Sequence, residues 1–330
     1  AILDAEDAKQ KSDHAVNVSE QAKQIAQTAE NKADNVQEQF NQVVIEGDSS
    51  VEAAQARVDA DGNTFTTLKE RLDTKEVQFS AQLAHIVDKQ MNFAEFELIA
   101  HRGYNTIAPE STLLAYSLAH QYGFDSWECD VQPTSDGELV VIHDQTLDRT
   151  TNGTGVVTSY TLEYLKSLDA SKQFPYYSEL RIPTFEEFLI ASKGKVKRIY
   201  PEISPFQTNE GTEKIVDLVI QHKLENNTTL QCFNFNRFNI VRSKSNLIKL
   251  GYLVPNNLNT FNSALSLAIS DGNAELLVDY TLILANPELV QTARDRGIDI
   301  VVWTVNSNAI AKKLMEIGIT RIMSDMYLEV

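Results

Sequence analysis

Nine short apolar runs, separated by helical stretches, constrain the fold of this chain more than any other feature. They occupy residues 96–101, 125–131, 139–143, 196–203, 228–233, 249–254, 275–280, 298–305 and 320–324. Strand-like runs that alternate with helical segments are typical of a parallel sheet built from strand-helix units. The sequence therefore predicts an α/β fold from residue 96 onward.

The second and third runs are too close together to be parallel neighbours. Only QPTSDGE joins them, and its Asp136-Gly137 pair favours a tight hairpin, whereas a parallel crossover needs about a dozen residues or more. The run at 139–143 therefore belongs to an insertion, which we place at about 132–183, before a helix that starts at Thr184. Eight parallel strands remain, as a (β/α)8 TIM barrel requires.

Residues 1–46 carry a different pattern. Apolar residues recur three and four positions apart from Ala15 to Val43, without glycine or proline, and polar residues fill the positions between them. This pattern predicts a coiled-coil helix. Because its alanine-rich stripe buries little surface, we expect it to associate with several chains or with a neighbouring domain. A single solvated helix is the alternative. Residues 47–95 are predicted to be a junction and helical linker, and residues 96–330 the barrel.

Composition argues against two classes of function. The net charge is −17, whereas nucleic acid binding needs a concentrated positive surface. No apolar run approaches the roughly 20 residues that cross a bilayer, so we expect no membrane span.

The first residues lack the basic segment and apolar core of a signal peptide. Cys129 and Cys232 lie in strand-like runs without partners at metal-ligand spacing, which predicts buried, reduced thiols.

Acidic and histidine side chains collect where the predicted strands end, which is where barrels of this kind place their chemistry. His101 follows the first strand, and Glu128 and Asp130 lie two positions apart on the second, so both point to the same side. The hairpin closes at His143, and the third barrel strand ends at Glu202. Clustered carboxylates repel each other, and a hard divalent cation relieves this, so the pattern predicts one bound Ca²⁺ or Mg²⁺.

Most of these residues also have a structural interpretation, and His101 is alternatively a structural histidine at the end of a strand. Glu128 and Asp130 are alternatively outward-facing polar residues of a half-exposed strand, and His143 is alternatively a histidine that caps a turn. The neighbouring Trp127 and Cys129 favour a buried strand, in which inward-facing acids need a ligand.

The motifs HRG with PES, ECDVQPTSDGELVVIHDQTLDRTTNGTG, IPTFEEFL, PEI, VVWTVN and SD follow one another in this order. They resemble those of the glycerophosphodiester phosphodiesterases over nearly all of 96–330. The resemblance implies a barrel of the phospholipase-C-like kind that hydrolyses glycerol phosphodiesters with a bound divalent cation. The residues to which it assigns roles are His101 and His143 as the acid-base pair, Arg102 on the phosphate, Trp303 on the glycerol, and Glu128, Asp130 and Glu202 on the metal.

The sequence departs from this family at two positions. Ser204 stands where lysine is usual, which removes a positive phosphate contact. Either Lys172 or Arg181 of the insertion substitutes for it, or the rate is low, or the phosphate is held differently. Ser111 stands where asparagine is common, at a predicted helix start where serine caps well. Trp303 has the alternative role of filling the barrel core.

The segment GDSSVEAAQARVDADGNTFTTLKERLDTK resembles junction segments in tail and baseplate proteins of phages that infect Gram-positive bacteria. This implies a homotrimeric stem on a virion tail, with other tail proteins as partners. Stem and barrel together predict a tail-borne enzyme that cleaves polyglycerol phosphate teichoic acid at the bacterial surface. The alternatives are a non-catalytic teichoic acid binding module, or a bacterial enzyme acting on deacylated phospholipids.

Overall fold

The computed structural model describes residues 96–330, in which the predicted barrel is present. The strands are β1 Glu97–Ala100, β2 Ser126–Pro133, β3 Leu139–Val141, β4 Arg198–Ile203, β5 Thr229–Cys232, β6 Lys249–Val254, β7 Ala274–Asp279, β8 Asp299–Trp303 and β9 Arg321–Ser324. The sheet has the order β1-β9-β8-β7-β6-β5-β4-β2-β3, and β1 also pairs with β2. All of its pairings are parallel except β2 with β3, so within the described residues eight parallel strands close into a barrel.

Helices connect the strands on the outside of the barrel, and side-chain caps define where several of them begin. Thr184 caps the helix that the sequence placed there, with a reciprocal capping box to Glu187. Thr112, not Ser111, caps the first helix by accepting from the Ala115 N–H. The α-helices are α1 Leu113–Gln121, α2 Leu162–Ser167, α3 Phe185–Ser192, α4 Asn209–Gln221, α5 Phe238–Lys244, α6 Leu258–Asp271, α7 Tyr280–Ala285, α8 Glu288–Arg294 and α9 Asn308–Glu316.

Ser111 therefore does not have the capping role that the sequence suggested. Its backbone is left-handed, with a φ of 57°, and its N–H donates to the Arg102 carbonyl at 2.9 Å. Asparagine tolerates this conformation better than serine does. The change from the usual asparagine thus bears on the loop before α1 and not on the start of the helix.

The insertion between β2 and β4 starts with the predicted hairpin. Strand β3 runs antiparallel to β2, with Val131 opposite Val141, and Gly137 takes a left-handed φ of 78° in the turn. The insertion has a small apolar core of its own, and the Lys166 ammonium lies 2.6 Å from the Glu187 carboxylate of α3. The insertion is therefore a subdomain with its own apolar core, and it contacts the barrel helix α3 through this ion pair. The residues of its core are Val140, Ile142, Leu147, Val157, Leu165, Leu168, Ala170 and Ile182.

Alternation along the strands sorts side chains between the outside and the inside of the barrel. On β2, Trp127 and Cys129 pack outward in the core shared with the helices, so Glu128 and Asp130 point inward. An apolar layer fills the middle of the barrel interior, and it lies below the acids. Its members are Ile99, Tyr200, Leu253, Leu277, Val301 and Met323, with Trp303 packed against them.

Both cysteines are buried, and within the described residues they are free thiols, as the sequence predicted. No helix of the described segment combines the length and apolarity that a bilayer crossing requires. The predicted coiled-coil stem at 1–46 and the junction at 47–95 lie outside the described residues.

Candidate active site

Three carboxylates meet at the C-terminal end of the barrel. Glu128 and Asp130 extend inward from β2, and Glu202 is the register partner of Asp130 on β4. One oxygen of each lies within 4.8 Å of the others. On β5, the Gln231 amide donates to Glu128 Oε1 at 3.4 Å and so helps to fix that carboxylate. The three acids that the sequence assigned to a metal are thus close enough to share one ion.

The electrostatics of this cluster favour a bound cation. Burial raises the pKa of Glu128 well above its usual range, and the neighbouring Asp130 raises it further. Burial and Asp130 likewise raise the pKa of Glu202 to about 8. Asp130 Oδ2 is buried, yet it accepts no hydrogen bond from the described part of the chain. Three clustered carboxylates, two of them with raised pKa values, and a buried oxygen that accepts no hydrogen bond fit a hard, oxygen-liganded divalent ion.

The turn after β1 brings backbone as well as side chains to the cluster. Arg102 has a left-handed φ of 59°, and its N–H donates to Glu128 Oε2 at 3.0 Å. Gly103 follows with a φ of 82°, and a Cβ there would lie 2.7 Å from the Ala115 Cβ. Only glycine fits this position without displacing α1, which explains the third residue of the HRG motif.

The Arg102 guanidinium lies among acids. Its Nε is 3.3 Å from Asp130 Oδ2, and its Nη1 donates to Glu110 Oε1 at 3.3 Å. Although burial opposes it, the charges of Asp130, Glu128 and Glu110 raise the pKa of Arg102. The arginine is therefore held beside the cluster as a permanent cation.

His101 is oriented by a carboxylate from the end of the chain. Its Nδ1 lies 2.7 Å from Asp325 Oδ1. Asp325 also accepts from the amides of Asn105, at 2.5 Å, and Asn306, at 2.6 Å. These contacts outweigh burial and hold the pKa of Asp325 far below its usual range. His101 is thus held through its Nδ1 atom by a carboxylate that is itself fixed by two amides.

His143 has a similar partner within the insertion. Its Nδ1 lies 2.7 Å from Oδ1 of Asp144, the next residue. Arg149 binds that carboxylate from the other side, with Nε donating to Oδ2 at 2.6 Å and Nη2 to Oδ1 at 2.8 Å. The hydrogen bond from Arg149 is the main reason why the pKa of Asp144 falls to about 2. The two histidines thus share one arrangement, in which a carboxylate binds Nδ1.

Comparison with known proteins decides which family these features represent. Residues 101–328 match the glycerophosphoryl diester phosphodiesterase family. The chain belongs to this family. The chain is accordingly a phosphodiester hydrolase, as the sequence predicted.

Relatives and solved structures agree with the family assignment. A glycerophosphodiester phosphodiesterase of Caldanaerobacter subterraneus is 33% identical over 240 residues, which span 69% of this chain and 93% of the relative. One from Bacillus subtilis is 32% identical over 251 residues, which cover 69% of this chain and 82% of that protein. The structure of an Oleispira antarctica phosphodiesterase in complex with the product sn-glycerol-3-phosphate is 26% identical, with a TM-score of 0.62, and the match covers 71% of this chain and 95% of that one.

Trp303 lies at the rim of the phosphodiesterase barrel and is not fully buried. Its Nε1 donates to the Leu277 carbonyl at 2.8 Å, and its ring meets that of Phe233 edge to face at 6.1 Å. Phe233 is 51% exposed. The tryptophan therefore packs on the apolar layer below and also lies beside an exposed aromatic ring.

Neither basic residue proposed to replace the family lysine contacts the acid cluster through the bonds that the structure shows. Lys172 donates to the Asp148 carbonyl, and Arg181 donates to the Leu168 carbonyl at 3.2 Å. Ser204 itself is buried, and its hydroxyl accepts from the Phe206 N–H at 3.2 Å. The hydroxyl thus shapes the loop after β4 and brings no charge to the site.

Sequence reasoning missed the residues that hold the site residues in place. Asp325 belongs to the SD motif, but only the barrel closure brings it to His101, 224 positions away. Glu110 and Arg149 lie within motifs and Gln231 lies in the apolar run 228–233, but no pattern assigns any of them a partner. The signal that was available for Asp144 is its place beside His143, in the pair HD.

Proposed function

We propose that the chain hydrolyses glycerol phosphodiesters with one divalent cation, Ca²⁺ or Mg²⁺, held by Glu128, Asp130 and Glu202. The observation that carries the proposal is the buried acid cluster, in which Asp130 Oδ2 faces Arg102 but accepts no hydrogen bond. A bound cation would neutralise the acids and supply positive charge to the phosphate oxygens, whose charge grows toward the transition state. Arg102, beside the cluster, would bind the same phosphate.

His101 and His143 would act as the acid-base pair. Imidazole changes charge near neutral pH, and in each residue a carboxylate at Nδ1 leaves Nε2 as the atom that exchanges a proton. In the first step, the glycerol 2-hydroxyl oxygen bonds to phosphorus while one histidine takes its proton. The bond to the leaving oxygen breaks, and the other histidine protonates that oxygen. Water then opens the cyclic phosphate by the reverse proton transfers.

The rim aromatics would bind the glycerol. Trp303 presents part of its ring beside the exposed Phe233, and the carbon face of glycerol packs well on such a surface. This contact orients the 2-hydroxyl but makes no demand on the group attached beyond the phosphate. A repeating glycerol phosphate chain would therefore be accepted as well as a single headgroup.

Polyglycerol phosphate teichoic acid is the substrate that we propose. The support lies in the first 95 residues, whose sequence predicts a multimeric stem like those of phage tails, with other tail proteins as partners. Several barrels on one stem would meet many phosphodiesters of one polymer, which raises their effective concentration at the cell surface. A net charge of −17 gives no long-range attraction to a polyanion, so the cation and Arg102 would provide the local attraction.

The test is phosphorus NMR of unsubstituted polyglycerol phosphate incubated with the full chain, with Ca²⁺, with Mg²⁺ and with chelator. We expect phosphomonoester to appear only when the cation is present. Polymer blocked at the 2-hydroxyl should resist cleavage, and its ready cleavage would refute the cyclic route. Glycerophosphocholine turned over much faster than the polymer would instead favour an enzyme of deacylated phospholipids.

Variants separate catalysis from binding. Glu202→Gln removes a proposed cation ligand, and His143→Gln removes one member of the acid-base pair while the cation site stays intact. Both should lose turnover, but only the first should lose cation affinity in calorimetry. A wild-type chain that binds the polymer without cleaving it, in every cation condition, would identify a binding module and direct attention to Ser204.

A further inference from the structure

Arg149 uses its whole guanidinium group in the active-site rim. An arginine has five N–H groups in a planar fork. Besides the two bonds to Asp144, Nη1 and Nη2 donate to the two oxygens of Glu110 at 2.5 and 2.8 Å, and Nη1 lies 3.5 Å from Gln173 Oε1. Each carboxylate is thus bound through two parallel hydrogen bonds, an arrangement that lysine cannot reproduce.

The two carboxylates come from different parts of the fold. Glu110 belongs to the barrel loop between β1 and α1, and Asp144 belongs to the insertion. Glu110 is also bound by Arg102, beside the acid cluster. Arg149 therefore links Asp144, and through it His143, to Glu110 of the barrel that carries the proposed cation site.

The backbone near His143 has a separate anchor. The Gln132 side-chain amide donates to the carbonyls of Ile142, His143 and Asp144, at 2.9, 2.7 and 2.8 Å. This anchor holds the course of the chain but does not reach the Asp144 carboxylate. The direction of that carboxylate depends on Arg149, because its other hydrogen-bond partner is His143 itself.

We propose that Arg149 is a positioning residue that keeps neutral His143 in the tautomer with the proton on Nδ1. Fixed by Arg149, the Asp144 carboxylate faces Nδ1 as an acceptor, so the proton resides there and Nε2 presents a lone pair to the substrate side. Without Arg149, the Asp144 side chain is free to turn to water, and His143 reverts to a mixture of tautomers. This inference rests on the acid-base role proposed above for His143.

The test compares Arg149→Met, Arg149→Lys and a matched control in the full chain. Lys166→Met is the control, because it breaks another ion pair between the insertion and the barrel. Lys166 lies 2.6 Å from Glu187, and neither residue contacts His143 or Asp144 through the bonds that the structure shows. Tautomers are read from the nitrogen shifts of ¹⁵N-labelled histidine at a pH where the rings are neutral. The His143→Gln spectrum identifies the His143 signals among the 6 histidines, and His101 is the internal reference.

Arg149→Met should move the His143 nitrogen shifts toward a tautomer mixture, with those of His101 unchanged. The kcat should fall about 10- to 100-fold while KM changes little, as for other residues that orient a functional side chain. Arg149→Lys should give a kcat and nitrogen shifts between those of Arg149→Met and wild type, because lysine keeps the positive charge but not the planar fork. Methylguanidine should restore part of the activity of a further variant, Arg149→Ala. The control Lys166→Met should behave as wild type in the tautomer measurement and in the kinetics.

An unchanged His143 tautomer in Arg149→Met would overturn the proposal, and so would an equal loss of kcat in Lys166→Met. The proposed function fails by a different result, namely full turnover in His143→Gln. The tautomer measurement does not depend on turnover, so the two failures are distinguishable.

Discussion

Cation binding to the acid cluster should strengthen as the pH rises, and the structure gives the size of the effect. Glu202 has its pKa raised to about 8 by burial and by the charge of Asp130. A cation binds the ionised carboxylate, so it must displace any proton held there. Below a pH of about 8 the protonated form dominates and competes with the cation. Removing protons therefore favours binding.

The magnitude follows from the fraction of Glu202 that is ionised. From a pKa of about 8, half is ionised at about pH 8 and about one part in a hundred at about pH 6. The apparent affinity should thus fall about 50-fold over that interval, equivalent to about 2 kcal/mol. Glu128, whose pKa is also raised, changes the affinity in the same direction.

Isothermal calorimetry of Ca²⁺ and of Mg²⁺ measures both affinity and protons released, when each titration is repeated in buffers of different ionisation enthalpy. We expect about one proton or more released per cation near pH 6 and fewer near pH 9. Asp217→Asn, a surface carboxylate paired with Lys244 at 2.9 Å on the outside of the barrel, is a control that should leave the pH dependence unchanged. An affinity that is constant from about pH 6 to about pH 8 would refute the proton competition derived from this site.

Three further variants test other parts of the structure. Asp325→Asn should lower kcat at least about 10-fold with little change in KM, because His101 loses its anionic partner; kinetics identical to wild type would contradict this role. Ser204→Lys should raise kcat/KM by about 10-fold through a new charged contact with the phosphate, and a fall would show that lysine is not accommodated there. Arg321→Met should lower the free energy of unfolding by about 3–5 kcal/mol in urea titrations, because Glu275 is buried against that guanidinium; an unchanged midpoint would count against this.

The barrel and most candidate site residues could be predicted from local pattern. A parallel strand buried on both sides reads as an apolar run, so the strands were visible, and the short QPTSDGE link separated β3 from the barrel strands. Acids two positions apart on such a strand must point inward together, which indicated Glu128 and Asp130. Both inferences depend on residues that are close in sequence, because the covalent geometry of the backbone fixes how such residues lie relative to one another.

Closure of the barrel decided what no local pattern contains. It brought Asp325 to His101, placed Gln231 beside Glu128, and let Arg149 join Glu110 to Asp144. Hydrogen bonds and pKa shifts depend on distances of a few ångströms between side chains far apart in sequence, and on the water that folding removes from around them. The sequence by itself therefore determined which residues are candidates for the chemistry and on which strands they lie, whereas the tertiary structure decided how each histidine is held and how strongly the buried acids retain their protons.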